Sequence, residues 1–103
     1  MSEEIKLTIH PFRMGTDKEA ALKPLEEAAE VYASWQEVDG CGSPEQCSEQ
    51  CEVLNVCDVR VEFADELADV IQATCNLADR YGIDLQAAME RCEERNRKRG
   101  RYE

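Results

Sequence analysis

VRVEFADELADVIQATCNLADRY, residues 59–81, is the stretch whose reading decides the fold. Phe63, Leu67, Val70, Thr74, Leu77, Ala78 and Tyr81 recur at three- and four-residue steps, which places them on one face of a helix. Gly82 follows as the residue suited to the left-handed turn that ends a helix. Glu66 and Asp69 stand three residues apart on this helix and share a face. At 100° per residue Glu66 falls about 40° from Val70 and about 20° from Leu77, beside the apolar stripe. A bare carboxylate there costs several kcal/mol in desolvation unless a positive group meets it, and a divalent cation is one such group.

Upstream, Thr16 and Asp17 are both acceptable N-caps for a helix running to about Val38, with Gly40 and Gly42 as its stop. Pro24 either marks the first turn of that helix or kinks a longer one, because it lacks an N–H and crowds the preceding turn. This helix carries Glu27 and Glu30, again three apart, with Glu26 beside them. Two such pairs on facing helices put four carboxylates around one small volume, a donor set that suits Mg²⁺, a hard ion that takes oxygen ligands and keeps positions for water and phosphate. The competing reading is a solvated acidic face with Lys or Arg neighbours, and the spacing alone leaves both open. His10, in the lead-in, is the only histidine, so no serine–histidine–acid arrangement competes, and there is no Gly-rich phosphate loop.

Downstream of the first helix, Ser43-Pro44-Glu45-Gln46 resembles a capping box and predicts a short helix over about 44–56. Asp84 caps a last helix through about Lys98, with Leu85, Ala88, Met89 and Cys92 inward and Gly100 as its stop. Residues 1–15, with Pro11 and Gly15, predict an extended or irregular lead-in. No alternating strand pattern, internal repeat or low-complexity segment suggests another class. The expectation is one all-α domain over 1–103, a bundle of two long and two shorter helices, with a cysteine-rich insertion at 40–57 and a basic tail at 95–103.

A chain of 103 residues, 34% charged and 6% aromatic, buries only about 60–65% of its unfolded surface and is marginal alone. Association into a homodimer or homotetramer that completes the core is the expectation. Residues 1–90 carry a formal charge of −14 and residues 91–103 of +3, so the acidic body argues against nucleic acid as a partner. No apolar run approaches the roughly 18 residues of a membrane helix, and Met1-Ser2-Glu3-Glu4 lacks the order of a secretory signal, which predicts a cytoplasmic protein that does not engage a membrane. The six cysteines are then read as thiols. Cys41, Cys47, Cys51 and Cys57 have the sulfur count of a zinc site, but gaps of six, four and six residues fit one poorly.

Glu26-Glu27-Ala28-Ala29-Glu30, followed by Asp65-Glu66-Leu67-Ala68-Asp69-Val70, resembles the MazG-like branch of the all-α nucleoside triphosphate pyrophosphohydrolases, whose signature is EExxE, a spacer and ExxD. The likeness continues through Asn76, Tyr81-Gly82-Ile83-Asp84-Leu85 and Asn96-Arg97-Lys98-Arg99-Gly100-Arg101-Tyr102, and covers about residues 18–102. It implies that Glu27, Glu30, Glu66 and Asp69 hold Mg²⁺, with Mn²⁺ as a substitute, and that Glu27 or Glu30 takes the proton of the attacking water. It also implies that Asn76 lines the nucleotide pocket and that a nucleoside triphosphate is cut between its α- and β-phosphates, a reaction that sanitises nucleotide pools. By the same likeness Trp35 stacks on the base, against the plainer role of a packing anchor. Asn96, Lys98, Arg99 and Arg101 contact phosphate, against the plainer role of cations complementing a helix C-terminus. The spacer between Glu30 and Glu66 holds 35 residues, more than is usual in that family, and bears on pocket shape and substrate choice. The rival reading is a non-enzymatic acidic helical module that binds a protein partner or cations.

Overall fold

Thr16 opens the first helix by a reciprocal cap: its Oγ1 accepts from the Glu19 N–H at 3.2 Å, and Glu19 Oε1 accepts from the Thr16 N–H at 3.4 Å. In the computed structural model, which describes residues 3–40 and 58–103, the helix α1 spans Asp17–Gly40 and passes through Pro24. α2 spans Asp58–Arg80 and α3 spans Leu85–Lys98. Every regular element among the described residues is a helix, and they contain no strand. The short helix expected over 44–56, and with it Cys41, Cys47, Cys51 and Cys57, lies outside the described residues.

Gly82, at φ 64°, closes α2: the Ile83 N–H reaches the Ala78 carbonyl at 2.9 Å and the Gly82 N–H reaches that of Asp79 at 3.1 Å. This double closure needs a left-handed residue, which glycine adopts without a Cβ penalty. The same closure recurs at Gly100, where the Arg101 N–H reaches the Asn96 carbonyl at 3.0 Å. Asp84 then caps α3, its Oδ1 accepting from the Ala87 N–H at 3.0 Å.

α1 and α2 pack along each other, and Arg80 near the end of α2 holds Asp17 at the start of α1 at 2.6 Å, so the two run antiparallel. On α1 the sheltered positions are Ala20, Pro24, Glu27, Val31, Ser34 and Val38; on α2 they include Val59, Phe63, Glu66, Val70, Ala73 and Leu77. Both rows advance by alternating steps of four and three, the seam of a two-helix coil. Leu67, Thr74 and Tyr81, expected on the inward face of α2, are exposed, as is Met89 on α3. The contact seam is narrower than the apolar stripe read from the sequence, so one side of that stripe is left outside it. α3 does not pack along either long helix.

The lead-in has no regular secondary structure and is tied to α2 by side chains. Gln72 Nε2 donates to the His10 carbonyl at 3.2 Å, Asn76 Oδ1 accepts from the Phe12 N–H at 3.0 Å, and the Arg80 guanidinium donates to the Gly15 carbonyl at 2.8 Å. Ile9 and Pro11 close a small cleft against Cys75, Ala78, Ile83 and Leu85. Ile5, Leu7 and Ile9 alternate with Lys6 and Thr8, a short period of two that sequence reasoning missed, yet these residues form no strand.

Candidate metal and catalytic site

Glu27 and Glu66 occupy mid-seam positions where a two-helix coil ordinarily carries an apolar side chain. Glu27 is 7% exposed and is, among the described residues, the buried charged one. With α1 and α2 antiparallel, the i, i+3 carboxylates of each helix meet across the seam. One oxygen from each of Glu27, Glu66 and Asp69 lies within 4.8 Å of the others. Glu27 Oε2 and Glu66 Oε2 are both buried and have no hydrogen-bond partner. Burying unpartnered carboxylate oxygens side by side is costly, and a divalent cation among them removes the cost. The donor set is all oxygen and fits a hard ion, while Asp69 at the exposed rim leaves a side open for water or substrate.

Glu30 stands against this trio. Its carboxyl pKa is raised above the ordinary value of 4.5, first by hydrogen bonding to Glu27, then to Glu66, and then by the charges of the same two groups. It lies on the solvent side of the cluster. Lys23, one turn before Glu27, places its ammonium 3.1 Å from Glu27 Oε1 and 3.8 Å from Glu26 Oε2. Hydrogen bonding to Glu27 is the first cause that holds the Lys23 pKa above 10.5.

The raised Glu30 pKa fixes the sign of a pH effect. Between pH 4.5 and the higher folded value the native protein binds more protons than the unfolded chain, so stability is present below 4.5 and is lost as pH rises through the folded pKa. The metal-free protein is therefore expected to melt at a higher temperature as pH is lowered from neutrality towards 4.5. Saturating divalent cation, which competes with the proton, should flatten or reverse that slope. Thermal melts with and without Mg²⁺ over this range check it, and a metal-free protein that loses stability monotonically on acidification contradicts it.

The other residues singled out from the sequence sit elsewhere. Asn76 points its Oδ1 at the Phe12 N–H and at Gln72 Nε2, 2.8 Å away, so its amide oxygen anchors the lead-in. Asn96 Nδ2 donates to the Tyr102 hydroxyl at 3.3 Å and folds the tail back on α3 itself. Lys98 lies 4.0 Å from Glu94, and Arg99 and Arg101 are exposed beyond the end of α3. Within one chain α3 does not pack along the helices that bear the carboxylates, so these cations are not brought to the cluster by helix packing. Trp35 stacks on Tyr32, with centroids 5.8 Å apart and planes 24° from parallel, and both rings remain exposed. Sequence reasoning missed Lys23 and Arg80. Lys23 was visible as the basic residue four before Glu27, whereas nothing local pairs Arg80 with Asp17, 63 residues away.

Residues 3–96 match the sequence model of a family described as Phosphoribosyl-ATP pyrophosphohydrolase. No curated protein and no solved structure matches the chain.

Proposed function

The chain belongs to the phosphoribosyl-ATP pyrophosphohydrolase family, within the MazG-like all-α pyrophosphohydrolases, and on that premise we propose that it is a Mg²⁺-dependent pyrophosphohydrolase acting on a nucleoside triphosphate. The products are the nucleoside monophosphate and pyrophosphate. The observation that carries the reading is the pair of buried, unpartnered carboxylate oxygens of Glu27 and Glu66 beside Asp69.

Glu27, Glu66 and Asp69 would hold the ion, with Glu30 adjacent; Mn²⁺ satisfies the same oxygen donors. When bound, the ion neutralises charge on the phosphates and orients water for in-line attack. Glu30 is the base we assign. It stands beside the trio on the solvent side of the cluster, where water reaches it. Glu27 is the poorer base because one of its oxygens faces Lys23 and the other the cluster. Trp35 offers an exposed aromatic surface for a base, and Asn76 ties the lead-in to α2.

Association completes the molecule in this reading. α1 exposes Leu22, Leu25, Ala29 and Tyr32, and α2 exposes Ala64, Leu67 and Ile71, second apolar stripes at helical spacing on the two long helices. A homodimer or homotetramer covers them, and a neighbouring copy can bring Asn96, Lys98, Arg99 and Arg101 to a site that one chain's α3 does not reach. Alanine at both Arg99 and Arg101 is then expected to raise KM for triphosphate severalfold and to lower kcat where the contact strengthens in the transition state. Cations that only complement the end of α3 would cost about 0.3–1 kcal/mol of stability and leave the kinetics unchanged. Steady-state kinetics on the double variant decide between the two roles.

Substrate choice is tested by measuring pyrophosphate release with Mg²⁺ from ribo- and deoxyribonucleoside triphosphates and from phosphoribosyl-ATP, the compound for which the family is described. The proposal expects the α–β cut in at least one of them, and the preferred member names the physiological role as pool sanitising or a biosynthetic step. No release from any of them, by folded protein with Mg²⁺ or Mn²⁺, would leave an acidic helical binding module as the better account.

A further inference from the structure

Lys23 is about half exposed, while the Glu27 side chain it meets is 10% exposed. It has two carboxylates within reach, and its ammonium lies closer to buried Glu27, at 3.1 Å, than to exposed Glu26, at 3.8 Å. The order lysine then glutamate at i, i+4 is the less favourable one for an isolated helix, so helix energetics alone give little reason for the pairing. Glu27 ends with its two oxygens in different environments: Oε1 faces Lys23, and Oε2 is buried without a partner in a residue whose carboxylate joins Glu66 and Asp69.

We infer that Lys23 is a positioning residue that fixes the Glu27 carboxylate by one oxygen so that the other is presented to the cation shared with Glu66 and Asp69. The inference rests on the proposed function, since it takes the carboxylate trio to be a cation site. Lys23 touches neither the substrate nor the reacting atoms in this role. It acts through Glu27, as groups hydrogen-bonded to metal-ligating carboxylates do.

The direction of the effect separates this role from simple electrostatics. A positive charge near a cation site opposes cation binding, so removing it should tighten binding slightly, and exposure and salt keep that change small. A lost orienting contact works the other way and typically weakens metal affinity about 10- to 100-fold. Lys23→Met, which keeps an unbranched chain without the charge, is therefore expected to bind Mn²⁺ about tenfold or more weakly. Lys23→Arg, able to reach the same oxygen, is expected to recover most of the affinity.

The measurement is Mn²⁺ binding by calorimetry or by loss of the free-ion electron paramagnetic resonance signal, on full-length protein without substrate, with circular dichroism to verify folding. Lys23→Gln serves if the methionine variant does not fold. Weakened binding in the neutral variant with recovery in Lys23→Arg supports the inference. Unchanged or tighter binding in a folded neutral variant overturns it while leaving the cation site intact. Wild-type protein that binds no Mn²⁺ overturns the cation site and this inference together, and Glu66→Gln, measured alongside, marks that case by behaving as wild type.

Discussion

Replacing Glu66 by glutamine is expected to lower pyrophosphate release by at least about a hundredfold while the metal-free protein becomes more resistant to heat. Both effects follow from one geometry. Glu66 Oε2 is buried with no partner, beside Glu27 and within reach of Glu30. The amide is nearly isosteric, so packing along the α1–α2 seam is preserved. It removes one charge from a crowded anionic cluster and supplies an N–H donor to a neighbouring carboxylate. Relief of about 1 kcal/mol would raise the melting temperature by roughly 4–8 °C in a domain this size. The same substitution deletes a charged ligand, so the stabilising effect of Mg²⁺ on the melt should shrink. Asp69→Asn should lose activity similarly, with a smaller gain in stability because Asp69 lies at the exposed rim. Circular dichroism melts with and without Mg²⁺, set beside pyrophosphate release, check both halves. A folded Glu66→Gln enzyme with near wild-type turnover would remove Glu66 from the site.

The second large effect is expected from Ile71→Asp. Among the described residues, Ala73 and Ala78 are the fully buried apolar ones, a core too small to hold two long helices together. Leu67 and Ile71 remain 43% and 39% exposed, one turn apart on α2, and Leu22, Leu25 and Tyr32 are exposed on α1. If these stripes meet in an oligomer, an aspartate in their midst buries an unpaired charge at a cost of several kcal/mol, comparable to the whole stability of a small domain. Ile71→Asp should shift the protein to monomer, lower its melting temperature steeply and make the melt insensitive to protein concentration, which it should not be in the wild type. Sedimentation analysis and melts at two concentrations test this. A wild-type monomer whose melting temperature is unaffected by Ile71→Asp would show that the stripes are solvent-facing surface.

The local features were legible in the chain because their causes are local. Thr16 with Glu19, Asp84, Gly82 and Gly100 set the helix ends through bonds spanning three to five residues, and i, i+3 spacing placed Glu27 with Glu30 and Glu66 with Asp69 on shared faces. The sequence by itself therefore determined the three described helices and the carboxylate pairs. The register between α1 and α2 was decided only by the tertiary structure, because it depends on which residues meet across helices separated by a long spacer. That register unites Glu27 with Glu66 and Asp69 and sets Glu30 beside Glu66 on the solvent side. It also turns Leu67 and Thr74 outward, since a two-helix seam shelters a narrower strip of each helix than the apolar pattern covers. Asn76 became an anchor for the lead-in for the same kind of reason: its amide meets Phe12, 64 residues away in the chain, a proximity that no periodicity encodes.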